Sequence, residues 1–176
     1  IKNRNLVEKI IQDAQPEVIV HMAAETGTGQ SMYEITRYCD VNILGTSILL
    51  ETINKYGINF KRFVLPSSRA IYGEGAYREC KTNKLIVPPA RTNKAMQLGK
   101  FIPTSKDGNQ LEPIPTLEDI PPAPSSIYAS TKLMQEYLVT QAAANASWEA
   151  TILRFQNVYG PGQSLNNPYT GVLSIF

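Results

Sequence analysis

Tyr128 and Lys132 stand four residues apart, downstream of a serine pair, Ser67 and Ser68, that follows an apolar run. Removing hydride from a secondary alcohol needs a base for the hydroxyl proton, and a tyrosine with an ordinary pKa of about 10 is a poor one near neutrality. A lysine four residues later lies on the same helical face, where its cation favours the phenolate, and a place near a helix N-terminus adds a favourable dipole. Ser68 lies beyond Phe63-Val64-Leu65, at the end of an expected strand, where ligands collect in an open parallel sheet. Its hydroxyl can donate to the substrate oxygen as that oxygen becomes a carbonyl; alternatively, Ser67 and Ser68 only cap the turn.

The spacing alone is weak evidence, because the chain holds 9 tyrosines and Tyr77 and Lys81 repeat it. That second pair sits behind glycines in an irregular stretch, whereas Tyr128 opens an expected helix after Pro124-Ser125-Ser126. Context therefore selects Tyr128. His21, the single histidine, ends another expected strand, where a packed and hydrogen-bonded role is expected rather than a catalytic one. The small Ala23 and Ala24 that follow it leave room for a cofactor.

The elements that must position these groups alternate. Leu6, Val7, Ile10, Ile11 and Ala14 recur at helical spacing until Pro16, and Val18-Ile19-Val20 reads as a short buried strand. A longer helix is expected from about Glu34 to Tyr56, with Ile35, Tyr38, Val41, Leu44, Ile48 and Leu49 on one broad face and Gly57 suited to its C-terminal cap. A third helix runs from about Ile127 to Ala146, and a strand from Ala150 to Phe155. Short apolar strands alternating with helices predict an α/β fold, a parallel sheet with helices on both faces. Between about residues 74 and 124 the pattern lapses into an irregular insertion rich in Pro, Lys, Asn and Gly, which is either functional or mobile, or a plain surface excursion.

Composition narrows the function class. With 43% apolar and 18% charged residues and a net charge of +2, the chain has the make-up of a globular protein. Its scattered Lys and Arg argue against nucleic acid or an anionic membrane as partner. Cys39 and Cys80 lack metal-site spacing, so no metal is expected, and their scarcity favours a reducing cytoplasm. Ile1 in place of an initiator Met is expected of a chain that begins within a longer coding sequence, or of a processed one.

Taken in order, His21-Met22-Ala23-Ala24, Val41-Asn42-x-x-Gly45-Thr46, Ser67-Ser68-x-x-x-Tyr72-Gly73, Tyr128-x-x-x-Lys132 and Leu153-Arg154-Phe155-Gln156-Asn157-Val158-Tyr159-Gly160-Pro161-Gly162 resemble the extended short-chain dehydrogenases/reductases that act on nucleotide sugars. Finer detail, Ser67 to Gly75, the long insertion and Tyr169-Thr170-Gly171-Val172, is similar to the dTDP-L-rhamnose 4-epimerase branch. The resemblance implies one partial, Rossmann-like NAD-binding and catalytic domain over 1–176, with the start of a substrate-binding region at about 157–176. It implies Tyr128 as base, Lys132 as tuner of Tyr128 and ligand of the nicotinamide ribose, and Ser68 as partner of the sugar C4 oxygen. Ala23, Ala24, Asn42, Ser67 and Phe155 would line the cofactor. Thr26 and Gly27, in the loop Glu25 to Ser31, with Arg69 and Asn157, would meet the nucleotide sugar. NAD is the implied cofactor, with NADP open, and a homodimer through the helices around Tyr38 to Leu50 and Leu133 to Ala142 is implied.

Departures bear on the chemistry. Related 4,6-dehydratases carry Asp-Glu after the catalytic hydroxyl residue, but Arg69-Ala70 stand here and cannot supply that acid and base. No Gly-x-Gly-x-x-Gly or Gly-x-x-Gly-x-x-Gly segment, the usual cradle of a dinucleotide pyrophosphate, occurs in the 176 residues. The expected activity is thus C4 epimerisation of a nucleotide-activated deoxyhexose through a 4-keto sugar. A non-enzymatic remnant or interaction module of the same fold, and a nucleotide-sugar reductase or dehydrogenase, are the alternatives.

Overall fold

The computed structural model describes residues 1–163. In chain order its elements are α1 (Arg4–Ala14), β1 (Val18–Val20), α2 (Ile35–Tyr38), a π-helical segment (Cys39–Leu44), α3 (Gly45–Lys55), β2 (Arg62–Ser68), β3 (Tyr77–Glu79), β4 (Leu85–Ile86), α4 (Asn93–Gln97), β5 (Leu111–Pro113), α5 (Ile127–Ala143) and β6 (Glu149–Phe155). They fall into two units: residues 1–69 with the chain from Ser126 onward, and Ala70–Ser125.

In the first unit β1, β2 and β6 form a parallel sheet in the order β1-β2-β6. Local chemistry sets the helix ends. Asn3 caps α1 by accepting from the Leu6 N–H, and Gln15 closes it in the left-handed region at φ 40°, just before Pro16. Ser126 caps α5 through the Ala129 N–H, and the helix ends at Ala143, a turn earlier than its apolar pattern predicts. The expected long helix at 34–56 is continuous in direction but not in type, because six residues, Cys39–Leu44, take the wider π form. π segments inside α-helices occur frequently at functional sites.

Val7, Ile48, Leu49, Ile53 and Val139 pack with Ile19, Phe63, Leu65 and Trp148 in one core. Full burial of each large apolar side chain contributes about 1.5–3 kcal/mol. Trp148 stacks on Phe60 at 5.1 Å between ring centroids and leans on Phe63 at 5.8 Å. Because successive strand residues face opposite sides, α1, α3 and α5 cover the face bearing Ile19, Phe63 and Leu65. The opposite face carries Val20 and Phe155, which are 56% and 40% exposed. The class is the expected one, but among the described residues the helices of this unit lie on one face of the sheet rather than both.

The second unit has more order than its composition predicts. β3 pairs antiparallel with β4 and with β5, in the order β4-β3-β5. Thr92 caps α4 through the Ala95 N–H. The buried Glu79 carboxylate accepts from the hydroxyl of Thr82 and from Asn109 Nδ2, and these hydrogen bonds hold its pKa below the ordinary carboxylate value. Gly73, at φ +61°, turns where a Cβ would lie 2.2 Å from the Ala123 carbonyl oxygen.

Candidate active site

All three strands of the first unit run parallel, so their carboxyl ends lie at one edge of the sheet. His21, Ala23 and Ala24 follow β1, Ser68 ends β2 and Phe155 ends β6. Ser68 and Phe155 are register partners across β2 and β6. Tyr128 and Lys132 sit in the first two turns of α5, which packs against β2. The decoy falls away on geometry, because Tyr77 lies in β3 and Lys81 in the turn that follows, with no shared helical face.

Several bonds fix the start of α5. Its Tyr128 N–H donates to Ser31 Oγ at 3.0 Å, and Ser31 in turn donates to the Thr28 carbonyl at 2.7 Å. The Tyr128 ring meets Tyr38 edge-on at 6.4 Å, and the Tyr38 hydroxyl donates to the Thr26 carbonyl at 2.8 Å. Gly27, at φ 127°, occupies a conformation open to glycine and rare for other residues. The Glu25–Ser31 loop is therefore tied to the helix that carries Tyr128, while Thr26 leaves its side chain exposed.

Asn42 is the hub of the π segment. Its Oδ1 accepts from the Glu25 N–H at 2.8 Å, and its Nδ2 donates to the Glu25 carbonyl and to Thr131 Oγ1. Thr131 passes its own proton to the Tyr128 carbonyl at 2.8 Å. Thr46 donates to the Asn42 carbonyl at 2.6 Å, so it accepts from Gln135 Nε2 and from His21 Nε2, each at 2.8 Å. That accounting places the histidine proton on Nε2. Burial first, then the Lys132 cation, push the His21 pKa down to about 4, which keeps the ring neutral. His21 is thus a packed residue, as its place at a strand end predicts.

Lys132 is 3% exposed. Burial pushes its pKa down to about 8 against the opposing pull of Glu136. Among the described residues no hydrogen bond or ion pair engages its ammonium, which leaves three donors for a polar ligand. The Ser67 hydroxyl is buried and donates to Glu136. The pleat explains this: Ser67 lies on the helix-covered face and Ser68 on the other. Arg69 and Asn157 are exposed, and Tyr169 to Val172 lie outside the described residues.

Residue typing overlooked Ser31, Tyr38, Thr131, Gln135, Glu136 and Arg154. Their side chains act on the site through other residues, so type and spacing carried no signal for most of them. Glu136 was the accessible one, four residues beyond Lys132 and therefore on its helical face.

Over 170 residues the chain is 42% identical to a dTDP-L-rhamnose 4-epimerase of Burkholderia thailandensis, covering 96% of this chain and 45% of that protein. The structure of a UDP-glucose 4-epimerase from Thermotoga maritima with UDP-glucose is similar at a TM-score of 0.70 and 29% identity, covering 99% of this chain and 44% of that one. The UDP-glucuronic acid 4-epimerase of Bacillus cereus, in complex with UDP-glucuronic acid and NAD, is similar at a TM-score of 0.61 and 26% identity, covering 89% of this chain and 37% of that one. The chain spans less than half the length of these relatives. A family model described as the NAD dependent epimerase/dehydratase family matches residues 1–98 and 104–176, and the chain belongs to that family.

Proposed function

We propose that this chain carries the catalytic centre of an NAD-dependent nucleotide-sugar 4-epimerase acting on a dTDP-L-rhamnose-like deoxyhexose. The observation that carries this reading is Lys132, buried beside the start of α5 with its ammonium unpartnered among the described residues, one turn beyond Tyr128. Such a group fits the hydroxyls of a nicotinamide ribose. Ala23 and Ala24 beyond β1 and Phe155 at the end of β6 would line the rest of the nicotinamide end. When bound, NAD supplies a hydride acceptor and donor at C4.

The chain's own residues handle the proton. Tyr128 takes it from the C4 hydroxyl, with the Lys132 cation favouring the phenolate, and returns it when the sugar is reduced on the opposite face. Ser68 donates to the C4 oxygen as it becomes a carbonyl. Arg69 and Ala70 offer neither the acid nor the base that loss of water would need, which supports epimerisation over dehydration. Thr26, Gly27 and Asn157 border the sugar nucleotide. A homodimer completes the proposal, supported by exposed Met134 and Tyr137 on α5 and Leu44 in the π segment, at 42%, 53% and 47%.

The test uses the full-length protein. Denaturing it should release about one equivalent of NAD, and dTDP-L-rhamnose should convert to its C4 epimer with no net change in NADH absorbance. Tyr128→Phe should lower kcat by roughly 10²–10⁴-fold, whereas Tyr77→Phe should leave it unchanged. Net NADH formation would support a dehydrogenase instead, and failure both to release and to bind NAD would support an interaction module. Among the described residues no helix is long and apolar enough to cross a membrane.

A further inference from the structure

Three elements carry the proposed chemistry: β2 with Ser68, β6 with Phe155, and α5 with Tyr128 and Lys132. One side chain touches all three. Glu136, on α5, is 5% exposed. Its Oε1 accepts from the Ser67 hydroxyl of β2 and from Arg154 Nε of β6 at 3.2 Å, and its Oε2 accepts from the Arg154 guanidinium at 2.9 Å. Ser67 and Arg154 are register partners, directly before the Ser68 and Phe155 pair. A forked guanidinium on a carboxylate fixes angle as well as distance. We propose that Glu136 is the positioning residue of this site, fastening the ends of β2 and β6 to α5 so that Ser68, Phe155 and Lys132 keep their places, and supporting the Lys132 cation with its charge. The catalytic part of this inference rests on the epimerase reading above.

The charges around Lys132 allow a direct test. Glu136 and Tyr128 share its helix, and neutral His21 faces it from the end of β1. Arg154 approaches from β6 through Glu136, and Tyr38 of α2 lies against Tyr128. The π segment, α3 and the turn before α2 meet α5 through neutral Asn42, Thr46 and Ser31. Glu136 is thus the one anion among these groups, and it opposes the effect of burial on Lys132. A merely structural glutamate would stabilise the fold without moving the Lys132 titration.

The experiment measures the acylation rate of Lys132 by acetic anhydride against pH, in full-length protein freed of cofactor, with the modified peptide quantified by mass spectrometry. The expected inflection is near 8 in the parent. It should fall by about one pH unit in Glu136→Gln and recover in Glu136→Asp. If Glu136→Gln does not fold, the pair Glu136→Gln with Arg154→Gln, which removes both charges of that ion pair together, should still show the lower inflection. An inflection unchanged in the folded variant, or not restored by aspartate, overturns the proposal. NAD affinity, read by calorimetry on the same samples, separates the two readings. Absent binding in the parent sinks the epimerase reading alone, while an unmoved inflection with intact binding sinks the role of Glu136 alone.

Discussion

The two units of this chain are stabilised in different ways. The sheet unit gathers Phe63, Leu65 and Val139, all fully buried, into a continuous apolar core shared by three helices. The Ala70–Ser125 unit has short strands and buries few large apolar side chains, chiefly Ile71, Tyr72, Leu111 and Ile120, and gathers polar groups at the buried Glu79. An apolar core tolerates changes of charge on its surface and resists loss of volume; a polar clasp does the reverse. The difference teaches that the first unit should fail through cavities and buried charge, and the second through strained turns and lost hydrogen bonds.

The largest effect expected is in the first unit. Phe63→Ala opens a cavity between Trp148 and His21 and should cost about 3–5 kcal/mol, measured by chemical denaturation. Hydrogen exchange in the same variant should rise in β1, β2 and α3 and stay near the parent level in β3 to β5. Equal loss of protection in both units would break the distinction.

Acid should divide them next. The His21 pKa is about 4 when folded against an ordinary value of 6.5. Over that interval the unfolded chain binds the proton more readily, so stability falls as pH falls from 6.5 toward 4. At about 1.4 kcal/mol per pH unit the loss approaches ~3 kcal/mol. His21→Gln, which can keep an N–H toward Thr46, should flatten that part of the profile, and the second unit, which contains no histidine, should respond only below about 4.5, where Glu79, with its lowered pKa, begins to gain a proton.

The smallest effect belongs to the turn at Gly73. An alanine there adopts a strained φ and drives its Cβ into the Ala123 carbonyl. Gly73→Ala should cost about 1–3 kcal/mol and raise exchange first in β3 to β5. An unchanged exchange pattern would show that this turn yields freely.

The sequence and the structure agree most closely where one period dominates. Leu6, Val7, Ile10 and Ile11 announce α1, and Val18-Ile19-Val20 announces β1, because burial on one side imposes a repeat on residue type. The placement of Tyr128 and Lys132 one turn apart at the start of α5 was legible for a related reason, since Pro124-Ser125-Ser126 announces where that helix begins. β3 to β5 were not, because two- and three-residue strands are too short to show alternation and depend on turns and on Glu79. The π segment was hidden because its residues satisfy a helical pattern, and the bonds that Asn42 and Thr46 make across the fold leave no mark on that pattern. Coverage of one sheet face was missed because alternation of element types does not say on which side each helix packs.

The neighbouring serines at the end of β2 show what register controls. Ser67 and Ser68 are chemically identical, yet one binds Glu136 under the helices and its neighbour faces the other side of the sheet. Parity alone assigns their jobs. A single-residue deletion within β2, harmless in composition, would exchange the covered and the open serine and carry Phe63 and Leu65 to the wrong side as well. Lineages of this chain should therefore accept insertions and deletions in the turns around β3 to β5 far more readily than in the seven residues of β2.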